Sequence, residues 1–159
     1  MIVVADASPL ISLAILDRLD ILNQLFDEVY IPVAVYHEIT VNNKMHSQKL
    51  EDYARMRTYQ VQDKIAVQKL LKKVDIGEAE AIVLATENNI TGILIDERKG
   101  RKISKTYGLL PIGAIAILLS AKKRGLITEI KPDLDQLVLS NRRISKKLYE
   151  KALKLAGEK

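Results

Sequence analysis

Residues 1–5 form an unbroken apolar run, Met1-Ile2-Val3-Val4-Ala5, that ends on Asp6 and is followed at once by Ser8-Pro9 and a second apolar stretch. A short apolar run bounded by a turn signal reads as a buried strand, and Ser-Pro ahead of apolar residues at helical spacing reads as a helix start. A buried strand that hands a carboxylate to a helix is an α/β arrangement, and such folds collect their chemistry at the carboxyl ends of the strands. The pattern returns at Gly92 to Asp96, where an apolar strand again ends in an acid, while Glu38 and Glu78 ride or open helices in between. Four carboxylates at element ends point to a divalent metal.

The composition narrows the possibilities. At 159 residues the chain fits one domain that can bury most of its apolar surface unaided. It has no cysteine, which excludes disulfides, thiolate zinc sites and cysteine nucleophiles, and its only histidines are His37 and His46, so any metal must be held by oxygen. The longest apolar stretch, Ile112 to Ser120, is too short to span a bilayer. The N-terminus carries no basic flank or cleavage-like site, and a cytoplasmic protein is expected.

The net charge of +5 is unevenly spread: eleven of the 25 Lys and Arg residues fall after residue 121, against five of the 20 acids. A basic segment beside an acidic centre suits a phosphodiester substrate, because cations capture the backbone while a metal neutralises the phosphate under attack. A solvated lysine-rich helix would show the same charge.

Along the chain, strand Ile2 to Ala5 precedes a helix with Ser8 as N-cap and Pro9 at its first position, and a second helical stretch covers Leu19 to Phe26. A short strand, Val29 to Ile31, stops at Pro32, which fits the first turn of a helix carrying Val33, Val35, Tyr36, Glu38 and Ile39. Val41 to Ser47 is polar and reads as a mobile loop, then Gln48 to Met56 as a helix, Tyr59 to Val61 as a strand, and Lys64 to Lys73 as a helix capped by Asp63. Asp75-Ile76-Gly77 breaks that helix; Glu78 opens an apolar one that ends near Asn88-Asn89. Strand Gly92 to Ile95, a helix over Arg98 to Thr106 closed by Gly108, strand Leu109 to Ile112 and helix Ala114 to Lys123 with Gly125 past its end follow. Helices over Asp133 to Leu139 and Ser145 to Ala156 close the chain. The alternation predicts a three-layer α/β/α sandwich with a mainly parallel central sheet.

Asp6 and Asp96, at two strand ends, are candidates to face one crevice, since neighbouring strands lie about 5 Å apart. Clustered carboxylates raise one another's pKa, and Mg²⁺ or Mn²⁺ would offset the repulsion. Each acid also has a purely structural reading: Asp6 as a cap beside Ser8-Pro9, Asp96 as the cap of the helix from Arg98, Glu38 and Glu78 as ordinary helix residues. Glu80, two residues past Glu78, points to another face and is a candidate only to support the site.

Four ordered segments carry a family resemblance: Val4-Ala5-Asp6-Ala7-Ser8-Pro9-Leu10-Ile11, Ile31-Pro32-Val33-Ala34-Val35-Tyr36-His37-Glu38-Ile39, Gly77-Glu78-Ala79-Glu80-Ala81-Ile82 and Ile93-Leu94-Ile95-Asp96-Glu97. Over roughly Ile2 to Ile127 the chain resembles the PIN-domain proteins, small α/β metal-dependent nucleases, and is most similar to the bacterial and archaeal branch with VapC-type ribonuclease toxins. The resemblance implies Asp6, Glu38, Glu78 and Asp96 as catalytic metal ligands for Mg²⁺ or Mn²⁺. Many relatives have Asp at the position of Glu78, and the tandem Glu78 and Glu80 leaves the register of the third ligand open. Ser8 matches a polar residue beside the metal, and Glu97 a further acid. Arg98, Lys99, Arg101 and Lys102 follow the last acid directly, where they could meet substrate phosphates.

The expectation is therefore a metal-dependent endoribonuclease, a toxin-like component with RNA as substrate, an antitoxin protein as partner and a homodimer as assembly. A nuclease domain over residues 1–130 would carry a basic helical extension, 131–159, packed on the same domain. With six Tyr and one Phe, few bases can be stacked on rings, so recognition through backbone charge and RNA shape is expected. The rival class is a PIN-like RNA- or protein-binding module without nuclease activity. Phosphotransfer is disfavoured: an aspartyl-nucleophile phosphatase needs a second acid where Ser8 stands, and a receiver domain needs paired acids where only Asp6 is found.

Overall fold

The computed structural model describes residues 1–41 and 45–159. Five strands, β1 (Ile2–Ala5), β2 (Glu28–Pro32), β3 (Thr58–Tyr59), β4 (Gly92–Leu94) and β5 (Leu110–Ile112), form one sheet in the order β3-β2-β1-β4-β5. Every neighbouring pair is parallel, so each connection must cross over the sheet, and helices make the crossings. These are α1 (Ala7–Ile15) and α2 (Ile21–Leu25), α3 (Val33–Val41) and α4 (Ser47–Ala54), α5 (Lys64–Leu70) and α6 (Ile76–Glu87), and α7 (Arg98–Thr106). After β5 the chain continues through α8 (Ala114–Lys123), α9 (Lys131–Leu139) and α10 (Lys146–Leu155). The three-layer α/β/α sandwich is thus present, with an all-parallel sheet.

The period-2 alternation of β1 and β4 divides the core between the layers. Val3, Ala5 and Leu94 face a cluster with Leu10 and Leu13 of α1, Val35 of α3 and Ile117 and Leu118 of α8. Val4, Ile93 and Ile95 face a second cluster built on α5 and α6, with Ile82 and Leu84 fully enclosed. Burial on both faces is why these strands are near-continuous apolar runs rather than alternating ones. Leu134 and Leu137 of α9 and Ala152 and Leu153 of α10 pack into the first cluster. Among the described residues no helix is long and apolar enough to cross a membrane.

Boundaries shift where cap chemistry differs from the expected one. Asp6, rather than Ser8, is the N-cap of α1, which frees the Ser8 hydroxyl from capping. Pro32 ends β2 instead of opening α3, and α6 starts two residues before Glu78 because Asp75 caps it. Glu97, not Asp96, caps α7, its carboxylate accepting the Gly100 N–H at 2.9 Å. Asp63 caps α5 as expected, and Gly108 and Gly125 take left-handed φ values of +74° and +75° just past α7 and α8. Of the mobile loop expected over 41–47, residues 42–44 lie outside the described residues; Val41 ends α3, Met45 and His46 form a turn, and Ser47 begins α4.

Strand order reverses direction at β1, since β2 lies on one side of it and β4 on the other. The carboxyl ends of β1 and β4 therefore flank the switch point, the place where open parallel sheets leave a crevice. The register Ala5↔Leu94 sets Asp6 beside Ile95, with Asp96 one residue further on.

Candidate active site

A crevice of about 620 Å³ opens over that switch point. Asp6, Glu38, Glu78 and Asp96 all line it, each brought from a different element: the ends of β1 and β4, the middle of α3 and the first turn of α6. A fifth acid, Asp75, lines it as well. An added Cβ at Gly77 would sit 3.3 Å from both Asp6 Oδ1 and Glu38 Oε1, so the two carboxylates meet around this glycine, at the positive end of α6.

Burial dominates the electrostatics. Asp6, 6% exposed, has its pKa pushed up to about 7 by loss of solvent, reinforced by Asp75, Glu38 and Asp96 and opposed by a backbone hydrogen bond from Ala7. Glu78, equally buried, is pushed up to about 8, first by burial and then by Asp75. Glu38 is raised by the same two causes in the same order. Loss of solvent, with repulsion from neighbouring acids as the smaller cause, raises all three, and acids so perturbed in a cleft are candidates for a functional site.

Asp75, Glu78 and Asp96 have protein partners that fix them. Asp75 and Glu78 form a reciprocal capping box: Asp75 Oδ1 accepts the Glu78 N–H at 2.8 Å, and Glu78 Oε1 accepts the Asp75 N–H at 3.3 Å. The other oxygen, Glu78 Oε2, is buried with no hydrogen-bond partner and abuts Gly100 of α7. Asp96 is held from two sides, Oδ1 by the Ala114 N–H at 2.8 Å and Oδ2 by the Ser8 hydroxyl at 3.2 Å.

In chemistry this donor set fits a hard divalent cation: it is all carboxylate, with Asp6 and Glu78 buried, Asp96 half-buried and Glu38 exposed, and it includes an orphaned buried oxygen on Glu78. In distance it is open. Among the described residues no group of three or more His, Asp or Glu side chains is close enough, as placed, to hold an ion. The four acids share one crevice.

The remaining sequence candidates separate. Glu80 does not line the crevice; its Oε1 accepts the Ala34 N–H at 2.9 Å, tying the first turn of α3 to α6. It thus fastens together the helices that carry Glu38 and Glu78 without entering the crevice itself, since two residues along a helix turn a side chain by more than half a revolution. Glu97 lines the crevice as the α7 cap. Of the four expected docking cations, Arg98 lines it, whereas Arg101 turns inward to donate to the Ile95 carbonyl at 3.0 Å and Lys99 and Lys102 are exposed outside the lining. Pairs three apart share a helix face, so 98 and 101 go one way and 99 and 102 the other.

Two features escaped the sequence reading. Asp75 carried a signal, because Asp75-x-x-Glu78 is the spacing of a capping box and marks a helix start. Arg142 and Arg143, between α9 and α10, line the crevice from 46 or more residues beyond Asp96, and no local pattern marks them.

The all-parallel α/β sandwich sets an acid-lined crevice at its switch point, where folds of this class bind their ligands. A family model described as a PIN domain matches residues 2–158, and the chain belongs to the PIN-domain family. PIN domains are generally nucleases that typically use divalent metal ions, so the fold places this chain with hydrolases acting on nucleic acid. The match runs on through α9 and α10, past the segments that carry the motifs. No curated protein and no solved structure matches the chain.

Proposed function

We propose that the protein is a Mg²⁺- or Mn²⁺-dependent endoribonuclease whose cation is held by Asp6, Glu38, Glu78 and Asp96. The observation that carries this reading is the convergence of four acids from four elements on one crevice, two of them with strongly raised pKa values. When bound, the cation acidifies water and neutralises phosphate charge. The chain's own part is to supply charge and position. Asp6 and Glu78 must shed protons to bind a cation, so binding and proton release are linked. The Asp75 backbone N–H holds one oxygen of Glu78 at the crevice wall. Arg98 and Arg143 bring the opposite charge to the same walls, where a phosphodiester would be drawn in.

RNA as the substrate, a toxin-like role with an antitoxin partner, a homodimer and a cytoplasmic location belong to the same reading. So does the division into a nuclease domain over 1–130 and a basic extension over 131–159, which brings the two C-terminal arginines to the crevice. The experiment is purified protein with Mn²⁺ and a mixed RNA pool: cleavage that disappears in Asp96→Asn at unchanged fold supports the reading. Growth arrest on expression, relieved by the acid variants, tests the toxin role.

One observation favours the rival, a PIN-like binding module: Glu78 is spent on a capping box and the acids do not close around an ion as placed. RNA retention without cleavage, in either the presence or absence of Mn²⁺, would select it.

A further inference from the structure

Arg142 sits at the turn that leaves α9. Asn141, at a left-handed φ of 62°, reverses the chain, and the Arg142 N–H donates back to the Leu137 carbonyl at 2.9 Å. Its guanidinium then reaches across to the first turn of α1: Nη2 donates to Ser8 Oγ at 2.7 Å and to the Ser8 carbonyl at 3.1 Å, and Nε donates to Ser12 Oγ at 3.2 Å. Ser8 Oγ in turn donates to Asp96 Oδ2 at 3.2 Å. The other end of α9 is tied to the other end of α1, through Arg18 Nε to Asp133 Oδ2 at 2.8 Å and Gln136 Nε2 to the Ile15 carbonyl at 3.0 Å. The two helices thus run side by side, fastened at both ends.

Among the described residues Arg142 has no carboxylate within ion-pair distance, and a cation at a helix N-terminus opposes the helix dipole. Helix stability therefore does not explain its place. A hydroxyl can rotate and donate in several directions; with an arginine N–H occupying its lone pair, the hydrogen of Ser8 is left for Asp96, and the bond is strengthened by polarisation.

Resting on the metal-dependent reading above, we propose that Arg142 is a positioning residue: acting through Ser8, it orients the Asp96 carboxylate for the cation, so that the C-terminal helices complete the active site. Substitution of groups that orient ligands typically weakens metal affinity about 10–100-fold. The chain's residues make the prediction specific, because Ser8→Ala removes the relay without touching α9.

The test measures Mn²⁺ affinity by electron paramagnetic resonance titration in wild type, Arg142→Ala, Arg142→Lys, Ser8→Ala and the double variant Arg142→Ala/Ser8→Ala, with thermal unfolding and RNA cleavage in parallel. The expected result is about tenfold or greater loss in Arg142→Ala and Ser8→Ala, a double variant no worse than Ser8→Ala, and partial retention by Arg142→Lys. If Arg142→Ala is too unstable to measure, Ser8→Ala and Arg142→Lys decide. Unchanged Mn²⁺ affinity with lowered Tm would make Arg142 merely structural, and unchanged affinity with raised KM alone would make it a substrate contact; either overturns the proposal. Wild-type protein that binds no Mn²⁺ would instead remove the underlying nuclease reading, and this inference with it.

Discussion

Asp96 Oδ1 accepts the backbone N–H of Ala114 at 2.8 Å, so the acid at the end of β4 is also the partner of the first amide of α8. The contact is close on every side: an added Cβ at Gly113 would come within 2.9 Å of the same oxygen.

This double duty separates two substitutions. Asp96→Asn keeps an acceptor for Ala114 and should unfold within about 1 kcal/mol of wild type, while losing Mn²⁺ affinity and at least about 100-fold in RNA cleavage. Asp96→Ala also uncaps α8 and should cost about 1 kcal/mol more. Urea unfolding beside a cleavage assay reads both; equal activity in Asp96→Asn and wild type would remove Asp96 from the ligand set.

The raised acids give a pH dependence of defined sign. Between pH 4 and pH 7 the folded protein holds a proton on Asp6 that the unfolded chain has released, and Glu78 extends that window to about pH 8. This part of the stability is complete at low pH and is lost as pH rises through the folded-state values. Metal-free protein should therefore lose on the order of a few kcal/mol from these groups between pH 5 and pH 8, and Asp6→Asn should flatten the curve. Mn²⁺ should raise Tm at pH 8 and have little effect at pH 5, since protonated carboxylates bind poorly. A Tm in EDTA that is higher at pH 8 than at pH 5, unaffected by Asp6→Asn, would count against buried, proton-binding acids.

Gly100 packs against the orphaned Glu78 oxygen, and a Cβ there would also meet Ile95 Cδ1 at 2.6 Å. Gly100→Ala should push Glu78 off its seat, costing about 1–3 kcal/mol and weakening Mn²⁺ binding, even though alanine is the better helix former. Calorimetry with and without Mn²⁺ measures both; a stabilised variant with intact Mn²⁺ affinity would show that Glu78 is free to move.

Glu80 supplies the contrast to Glu78. Glu80→Ala removes the acceptor of the Ala34 N–H and should cost about 0.5–2 kcal/mol, the value of a lost cap, with Mn²⁺ affinity unchanged. Glu78→Gln should do the reverse, since burying a neutral amide relieves the repulsion while removing a ligand. Loss of Mn²⁺ binding in Glu80→Ala would transfer the third-ligand role to it.

The helix over Arg98 to Thr106 and the helix over Ala114 to Lys123 match the sequence reading residue for residue, because glycine stops and apolar periodicity are local signals. Caps are less legible, because neighbouring polar residues compete for one position. Ser8-Pro9 looks like a helix start, but β1 delivers its last residue, Asp6, straight into the N-cap position, and Ser8 turns to Asp96. Asp75 was legible through its spacing to Glu78, whereas the inward turn of Arg101 depended on where β4 left the Ile95 carbonyl.

What the residues alone determined was the alternation of strands and helices and the placement of acids at their ends, since hydrophobic period and cap chemistry act over a few positions. The tertiary structure decided which acids share the crevice, that Glu80 serves α3, and that Arg142 reaches Ser8 from the far end of the chain. Those outcomes depend on the direction each side chain takes around its helix and on which helices pack side by side, and neither is encoded in any short stretch of sequence.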